Sequence, residues 1–524
     1  MARIFSYDAM KIVLAYISGV PDRNDPYISL LPTGLCSLQA CLREAGFDAV
    51  LANFSGWSDG DIRSQLCKMK PAVFGISQWT HNRHASVDLA QLVRSQLPGC
   101  TIVMGGAHAT CCYADLLRQA SPVDCVVLGE GEETFLELAR AVAEGRPWTN
   151  VNGLGFFSLK GEIVVTPARP PVADLDVLPS AVAYLEQSIG VDIPLQSEFV
   201  LTARGCPSAC YFCSSPRIWN RKVRFRSPQN IVEEMAHIRA KYGLIYFSLR
   251  DDTFTADRAR TIEFCRLLIE RRLHVLWNCQ SRVTALDEEL LIWMKRAGCE
   301  CIQLGVESGS PRILAMLGKA ITPVQVEHTA GLIRNVGINL SIFLISDVPG
   351  ETDDDQRLTL ELIRQIRADD GYVSPLAYFP GTRLFEDAVA SGRTARDVFE
   401  TNRQPAVYAS GRPGRASRQL LKAIASAAPR DGLRFRRQKE LLGFCAVTNV
   451  LAGEYHRQRG DYAAVEQEFR EIVERESDNP WGWYLLAEMY DELGDRKAAL
   501  ACYREVCRIV PQHGPSLQAV RTKK

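Results

Sequence analysis

The chain has no surplus of charge of either sign: 61 Lys and Arg balance 61 Asp and Glu. Proteins that grip nucleic acid non-specifically carry a basic excess, so no nucleic-acid partner is expected. It also lacks any apolar run near the ~20 residues that span a bilayer, so no membrane span is expected. The best early candidate, Lys11 to Val20, is short, carries Tyr16 and Ser18, and runs into Pro21-Asp22. Without a small-residue cleavage site it reads as a first strand, not a signal peptide. Hydrophobic residues at 47% and charged residues at 23% exclude a mostly disordered chain. The 524 residues suggest about three domains, and the expected location is the cytoplasm.

Seventeen cysteines, an odd number in a long chain, argue against a secreted disulfide framework. Most stand singly in apolar surroundings, where Cys behaves as a small buried hydrophobe. Only a few are spaced as ligands.

Residues 1–165 alternate short apolar runs with amphipathic stretches. Strands are expected at Ile12–Tyr16, Ala49–Ala52, Ala72–Ser77, Thr101–Met104 and Asp124–Leu128, with helices from Gly34, His84 and Glu132. That alternation argues for a parallel, doubly wound α/β sheet, whose ligands sit at the carboxyl ends of the strands. Residues 166–195 are Pro-rich and read as a linker. A second alternating region, 196–400, offers six strands, at Phe199–Thr202, Leu244–Leu249, His274–Trp277, Cys301–Val306, Asn339–Ile345 and around Gly371–Phe379. These suggest a partial or full α/β barrel, again with its chemistry at the strand C-termini. Residues 401–445 read as an Arg-rich helical connector with a solvated surface. In 446–524, Gly460, Asp461, Ala464 and Phe469 recur at one constant offset as Gly494, Asp495, Ala498 and Tyr503. The spacing is that of tetratricopeptide repeats, so an all-α tail of two helical hairpins is expected, as a stabilising cap or as a docking surface for a protein partner.

The most informative segment is Thr202-Ala203-Arg204-Gly205-Cys206-Pro207-Ser208-Ala209-Cys210-Tyr211-Phe212-Cys213. Thiolates are soft ligands that suit iron–sulfur clusters or zinc, but zinc needs a fourth ligand and no further Cys or His lies nearby. Three ligands on a four-iron cluster leave one iron open. The C-x3-C-x2-C spacing resembles the signature of the radical S-adenosylmethionine (SAM) superfamily.

That resemblance continues along most of the second alternating region. It implies that Cys206, Cys210 and Cys213 bind a 4Fe–4S cluster and that the backbone of Phe212 meets adenine. Asp251 and Asp252 would lie near the SAM amino group, against the plain alternative of a helix cap. Arg282 would pair with the SAM carboxylate, against that of a surface ion pair. Gly305-Val306-Glu307-Ser308-Gly309 resembles the G-x-E-S-G segment, so Gly305, Glu307 and Ser308 would contact ribose and the methionine part. Pro349-Gly350-Glu351-Thr352 resembles the next turn, with Pro349 and Gly350 at SAM. Ser346-Asp347 stands where a glycine is usual before that turn. The N-terminal region resembles the cobalamin-binding domain that precedes many such barrels. Its candidate contacts are Gly34, Leu35, Ser77, Thr80, Gly105, Gly106, His108, Gly129, Glu130 and Gly131. The small residues would let backbone approach the corrinoid. The D-x-H-x-x-G motif that supplies a lower histidine to cobalt is absent; His81 and His84 follow the third strand and would contact the corrin, against the plain alternative of surface polar residues.

The resemblance implies a cobalamin-dependent methyltransferase. A 5′-deoxyadenosyl radical would activate an unactivated carbon or phosphorus centre, and methylcobalamin would supply the methyl group. The alternative keeps both cofactors but closes, rearranges or oxidises a ring. Methylthiolation would want a second cysteine triad; Cys36, Cys41 and Cys67 have the wrong spacing. A degenerate scaffold would want a broken cluster motif. Expected partners are a small-molecule or carrier- or peptide-bound substrate, and an electron donor such as flavodoxin or ferredoxin.

Overall fold

The computed structural model describes residues 10–19, 30–118, 121–410, 414–428 and 431–522. The chain forms two compact units. The first takes residues up to 196 with 211–220 and 377–407; the second takes 197–210, 221–376 and 408 onward. Neither unit is a single stretch of sequence, because the chain leaves and re-enters each.

In the first unit, β1 (Lys11–Tyr16), β2 (Asp48–Asn53), β3 (Val73–Ser77), β4 (Thr101–Gly105), β5 (Cys125–Val127), β6 (Leu154–Phe157) and β7 (Ile163–Val165) form one sheet, ordered β2-β1-β3-β4-β5-β6-β7. β1 to β5 pair in parallel, while β6 and β7 extend the sheet antiparallel, with β7 at the edge. The order reverses between β1 and β3, and the crevice at such a switch point is where doubly wound sheets hold ligands. β3 is buried throughout. Its Gly75 matters, since a side chain there would strike Leu14 at 2.8 Å and Phe135 at 3.0 Å.

Sequence reasoning missed β6 and β7, whose short runs mimic loop. The expected linker is packed: Val172, Leu175, Val182 and Leu185 are buried, and Ile189 bridges beside β2 at Ala52. Its prolines broke the periodicity but did not stop apolar residues from burying.

In the second unit, β8 (Phe199–Val200) leads into a short antiparallel pair, β9 (Ala203–Arg204) with β10 (Arg224–Phe225). The main sheet adds β11 (Tyr246–Leu249), β12 (Leu276–Ser281), β13 (Cys299–Glu307), β14 (Asn339–Ser346) and β15 (Asp370–Pro375), ordered β15-β14-β13-β12-β11-β8. All its pairs are parallel and each strand lies beside its predecessor in that sheet, which is the arrangement of a partial barrel. β12 starts later than expected and runs on to Ser281. Trp277 and Cys279 bury fully while Asn278 and Gln280 alternate with them as half-buried residues, so the apolar run ended before the strand did.

The helices Ala446–Arg457, Tyr462–Arg475, Pro480–Glu492, Arg496–Ile509 and Gly514–Thr522 complete this unit. Asp461 and Asp495, matching positions of the repeat, cap equivalent helices by accepting from the backbone N–H of Ala464 and Ala498. The helical core includes Leu276, with Tyr246 packed against it, so the repeats are built onto the start of the barrel strands. His274 lies 3.5 Å from Glu476 and 3.4 Å from Asp478, and Arg272 pairs with Asp478. Among the described residues no helix is long and apolar enough to cross a membrane.

Candidate active site

The cysteine segment starts at the carboxyl end of β8, and its entry is clamped. Asp251, 1% exposed, follows β11 and accepts from Thr202 N (2.6 Å), Ala203 N (3.0 Å) and the Thr202 hydroxyl. Burial raises the Asp251 pKa, while the Thr202 hydrogen bonds and the charge of Arg260 oppose that rise. Arg260 donates to Thr202 O (2.7 Å) and Arg226 O (2.9 Å), and Arg226 donates to Leu201 O (2.8 Å). Asp251 therefore braces the cysteine loop with its carboxylate already engaged, whereas Asp252 beside it is exposed.

Cys206 and Cys210 are half-buried. Cys206 Sγ lies 3.2 Å from Ser208 Oγ and 3.5 Å from Thr253 Oγ1. Burial raises the Cys210 pKa, and the charges of Lys319 and Arg282 pull it back. Cys213 falls in the first unit with Phe212, and its Sγ accepts from Ser215 N at 3.4 Å, at the start of the helix Ser215–Trp219. The cations near Cys210 favour its sulfur as a thiolate, the form that binds metal, while burial opposes this. Among the described residues no three Cys, His, Asp or Glu side chains already gather at metal-binding distance. The donor chemistry, three thiols in one short loop with these hydrogen bonds and cations, suits an iron–sulfur cluster.

β13 ends in a bulge between Gly305 and Glu307. Glu307 has φ 68°, a left-handed conformation uncommon for a side-chain-bearing residue, and pairs with Lys319 at 2.8 Å. A side chain on Gly305 would meet Glu307 Oε1 and Lys319 Nζ, each at 2.7 Å, so the glycine makes room for that pair. Ser308 is buried; Gly309 N donates to Thr359 Oγ1 at 3.0 Å. Asp347 takes φ 57°, so the position where glycine is usual does adopt a left-handed backbone. Arg312 donates to Gly350 O (2.8 Å) and pairs with Asp355, fixing the Pro349-Gly350 turn.

Gly309 yields a direct test. A methyl group there would sit 2.5 Å from Leu358 O and 2.6 Å from Thr359 Cα, both backbone. Gly309→Ala should destabilise by about 2–3 kcal/mol in urea unfolding and weaken SAM binding. Wild-type stability and affinity would contradict it.

In the first unit, the strand ends form the expected rim with unequal roles. Gly34 and Gly129 face open space, with no atom within 4 Å of where a side chain would start. Gly106 has φ 101°, and a side chain would strike Gln78 O at 2.7 Å, so it allows close approach of two loops. Gly131 lies against Leu38, Gly105 near Val127, and Leu35 points into the core. Ser77 is buried, and Glu130 accepts from Val172 N at 2.8 Å. Trp79, just past β3, is exposed. His81 pairs with Tyr16 OH at 2.8 Å, and His84 with Asn402 O at 2.9 Å. The open backbone at Gly34, near the start of the helix after β1, and at Gly129, just past β5, suits a large planar cofactor.

His108 is 4% exposed, pairs with Thr80 Oγ1 at 3.1 Å and meets Phe399 edge-on. Burial first, then the charges of Arg83 and His84, hold its pKa down at about 3. Between pH 6.5 and 3 the unfolded chain binds a proton at His108 that the folded chain does not, so stability falls as pH falls. Replacing His108 by Asn should flatten that acid limb by about 1.4 kcal/mol per pH unit, one proton's worth. Equal slopes for the two proteins would contradict this.

Arg83, Arg260, Thr202 and Lys319 are the residues that sequence reasoning missed. Lys319 lies well past Glu307 in the sequence, and no spacing rule marked it.

These features meet in known proteins. The Radical SAM superfamily model matches residues 200–363, the B12 binding domain model 28–139, and a tetratricopeptide repeat model 482–513. The chain belongs to the radical SAM superfamily as an enzyme with a B12-binding domain, and its cofactors are SAM, a 4Fe–4S cluster and cobalamin. An uncharacterized methyltransferase of Pyrococcus horikoshii is 29% identical over 364 residues, which cover 69% of this chain and 79% of that one. An anaerobic magnesium-protoporphyrin IX monomethyl ester cyclase of Rubrivivax gelatinosus is 31% identical over 366 residues, 68% of this chain and 66% of the relative. The radical SAM methyltransferase TsrM of Kitasatospora setae, solved with cobalamin and a [4Fe–4S] cluster, superposes with a TM-score of 0.63 at 21% identity. That match covers 74% of this chain and 79% of TsrM, and concerns the fold.

Proposed function

We propose that the chain is a cobalamin-dependent radical SAM methyltransferase acting on an unactivated carbon or phosphorus centre. The observation that carries this is the cysteine loop braced by Asp251, with the charges of Lys319 and Glu307 bearing on Cys210, in a chain that also matches a B12 binding domain model. When bound, the cluster supplies the electron that splits SAM, and cobalamin supplies the metal that carries the methyl group.

In this reading Cys206, Cys210 and Cys213 hold the cluster. Asp251 positions their loop, while Asp252 and Arg282 take the amino and carboxylate groups of SAM. Gly305, Glu307, Ser308, Pro349, Gly350 and the Phe212 backbone shape the rest of that site. Gly34, Ser77, Gly105, Gly129 and Gly131 border the cobalamin, and Gly106, Thr80, His108, Glu130 and Leu35 support the rim from within. In this reading residues 1–165, 196–400 and 446–524 serve as the cobalamin, SAM and repeat regions, although 211–220 and 377–407 cluster with the first unit. The substrate is a small molecule, free or bound to a carrier or peptide; the electron donor is a flavodoxin or ferredoxin. A thiol-rich chain with such a cluster belongs in the reducing cytoplasm, and the repeats offer a surface to a protein partner.

The cyclase relative favours one second reading, a ring closure without methyl transfer. SAM labelled in its methyl group decides between them when the substrate is present. Methylation moves the label into product; ring closure leaves it in methionine or SAM.

A further inference from the structure

The inner face of the partial barrel carries hydrogen-bonding groups in layers. Register partners in a parallel sheet share a face. Ser248, Asn278, Cys301 and Asn339 are linked in one such row, and Gln280, Gln303 and Ser341 in the next. Gly305, Phe343 and Tyr372 form the row above. The opposite face is the covered one: a side chain on Gly371 would strike Ile342 and Ile424, the latter from the helix Arg415–Ala427.

The lowest row is satisfied internally. Ser248 Oγ donates to Asn278 Oδ1 (2.9 Å), Asn278 Nδ2 to Tyr246 OH (2.7 Å), and Tyr246 OH to Glu300 Oε1 (2.7 Å). The next row is not. Gln303 Oε1 and Ser341 Oγ are register partners, both are closed to solvent, and neither has a hydrogen-bond partner. Ser341 is only 1% exposed. A buried polar atom left unpaired costs about 1–3 kcal/mol, so such atoms are usually met by water or a ligand. One row higher, Phe343 and Tyr372 stack with ring centroids 5.5 Å apart and planes 25° apart. Tyr372 stands on the edge strand β15 and is 59% exposed, so an aromatic surface lies open. The Glu307–Lys319 pair sits over Gly305, the register partner of Phe343, on this same face.

The geometry points to a substrate subsite for a planar conjugated ring that carries an N–H or O–H donor. The ring stacks on Tyr372, and its donor reaches toward Ser341 Oγ or Gln303 Oε1, two residues down and one or two strands across, so roughly 8–12 Å away. The assignment rests on the proposed radical SAM activity and narrows its substrate from any small molecule to this class.

Equilibrium binding to the cofactor-loaded full chain tests it with two probes. Tryptophan, followed by calorimetry, is a small planar donor; protoporphyrin IX, followed by absorbance, is a large one. At least one should bind, and which one binds separates small from macrocyclic substrates. Tyr372→Ala should weaken that probe at least tenfold, with Tyr372→Phe restoring it to within about threefold. The pair Gln303→Leu and Ser341→Ala should weaken it at least threefold. Equal binding to wild type and Tyr372→Ala, or no binding of either probe at millimolar concentration, would overturn the subsite. 5′-Deoxyadenosine formation is measured on the unsubstituted chain in parallel. Its absence would overturn the activity while the binding result for the subsite stands.

Discussion

Cys210→Ala should reduce SAM cleavage to below about 1% of the unsubstituted rate, while the protein stays folded. A loss of that size is at least about 2.7 kcal/mol of transition-state stabilisation, more than a surface contact supplies. The sequence holds no spare Cys or His beside the triad to replace a missing thiol. Cys210 is half-buried, and nothing in its packing makes it a core residue. The charges of Lys319 and Arg282 bear on this thiol in the sense that favours thiolate, against burial that disfavours it. Iron content and 5′-deoxyadenosine, measured anaerobically on the same sample, check the result. Full iron and full cleavage in the variant would remove Cys210 from the cluster.

Arg83→Met should destabilise the first unit by about 4 kcal/mol. Arg83 is 3% exposed and donates to five carbonyls, those of Thr80, Phe399, Asn402, Gln404 and Pro405. Removing it leaves several of these oxygens buried and unpaired, at about 1–3 kcal/mol each where relaxation fails. Arg83→Lys should not restore stability, because an ammonium cannot present the planar five-donor fork. Urea unfolding measures the loss, and proteolysis within 398–405 should speed up. A change under about 1 kcal/mol, the least that one such orphaned oxygen costs, would contradict this account of why residues 377–407 join the first unit.

Much of the fold could be read in advance because buried parallel strands announce themselves as apolar runs. Ile12–Tyr16 and Asn339–Ile345 did so, and the observed strands match them within a residue. The reading failed where burial is one-sided. β12 hides its second half because Asn278 and Gln280 alternate with Cys279 and Ser281. Tertiary joins left no local signal either. Arg83 looks like any helix residue; of its acceptors only Thr80 is a sequence neighbour, and the others, from Phe399 to Pro405, belong to a remote part of the chain. The cluster segment was legible because metal ligation demands particular residue types at short spacing. The roles of its neighbours were less so. Asp251 and Asp252 are adjacent, yet one is buried in loop-bracing hydrogen bonds and the other is exposed. His108 was a candidate cofactor contact from its glycine loop, and the structure makes it a buried neutral ring paired with Thr80.

The most direct test of the central claim is electron paramagnetic resonance of the anaerobically reconstituted, reduced chain, recorded with and without SAM. The account predicts about four irons per chain and a cluster signal that SAM alters, with 5′-deoxyadenosine formed in the same tube. A mononuclear metal, or a four-iron signal indifferent to SAM, would contradict it.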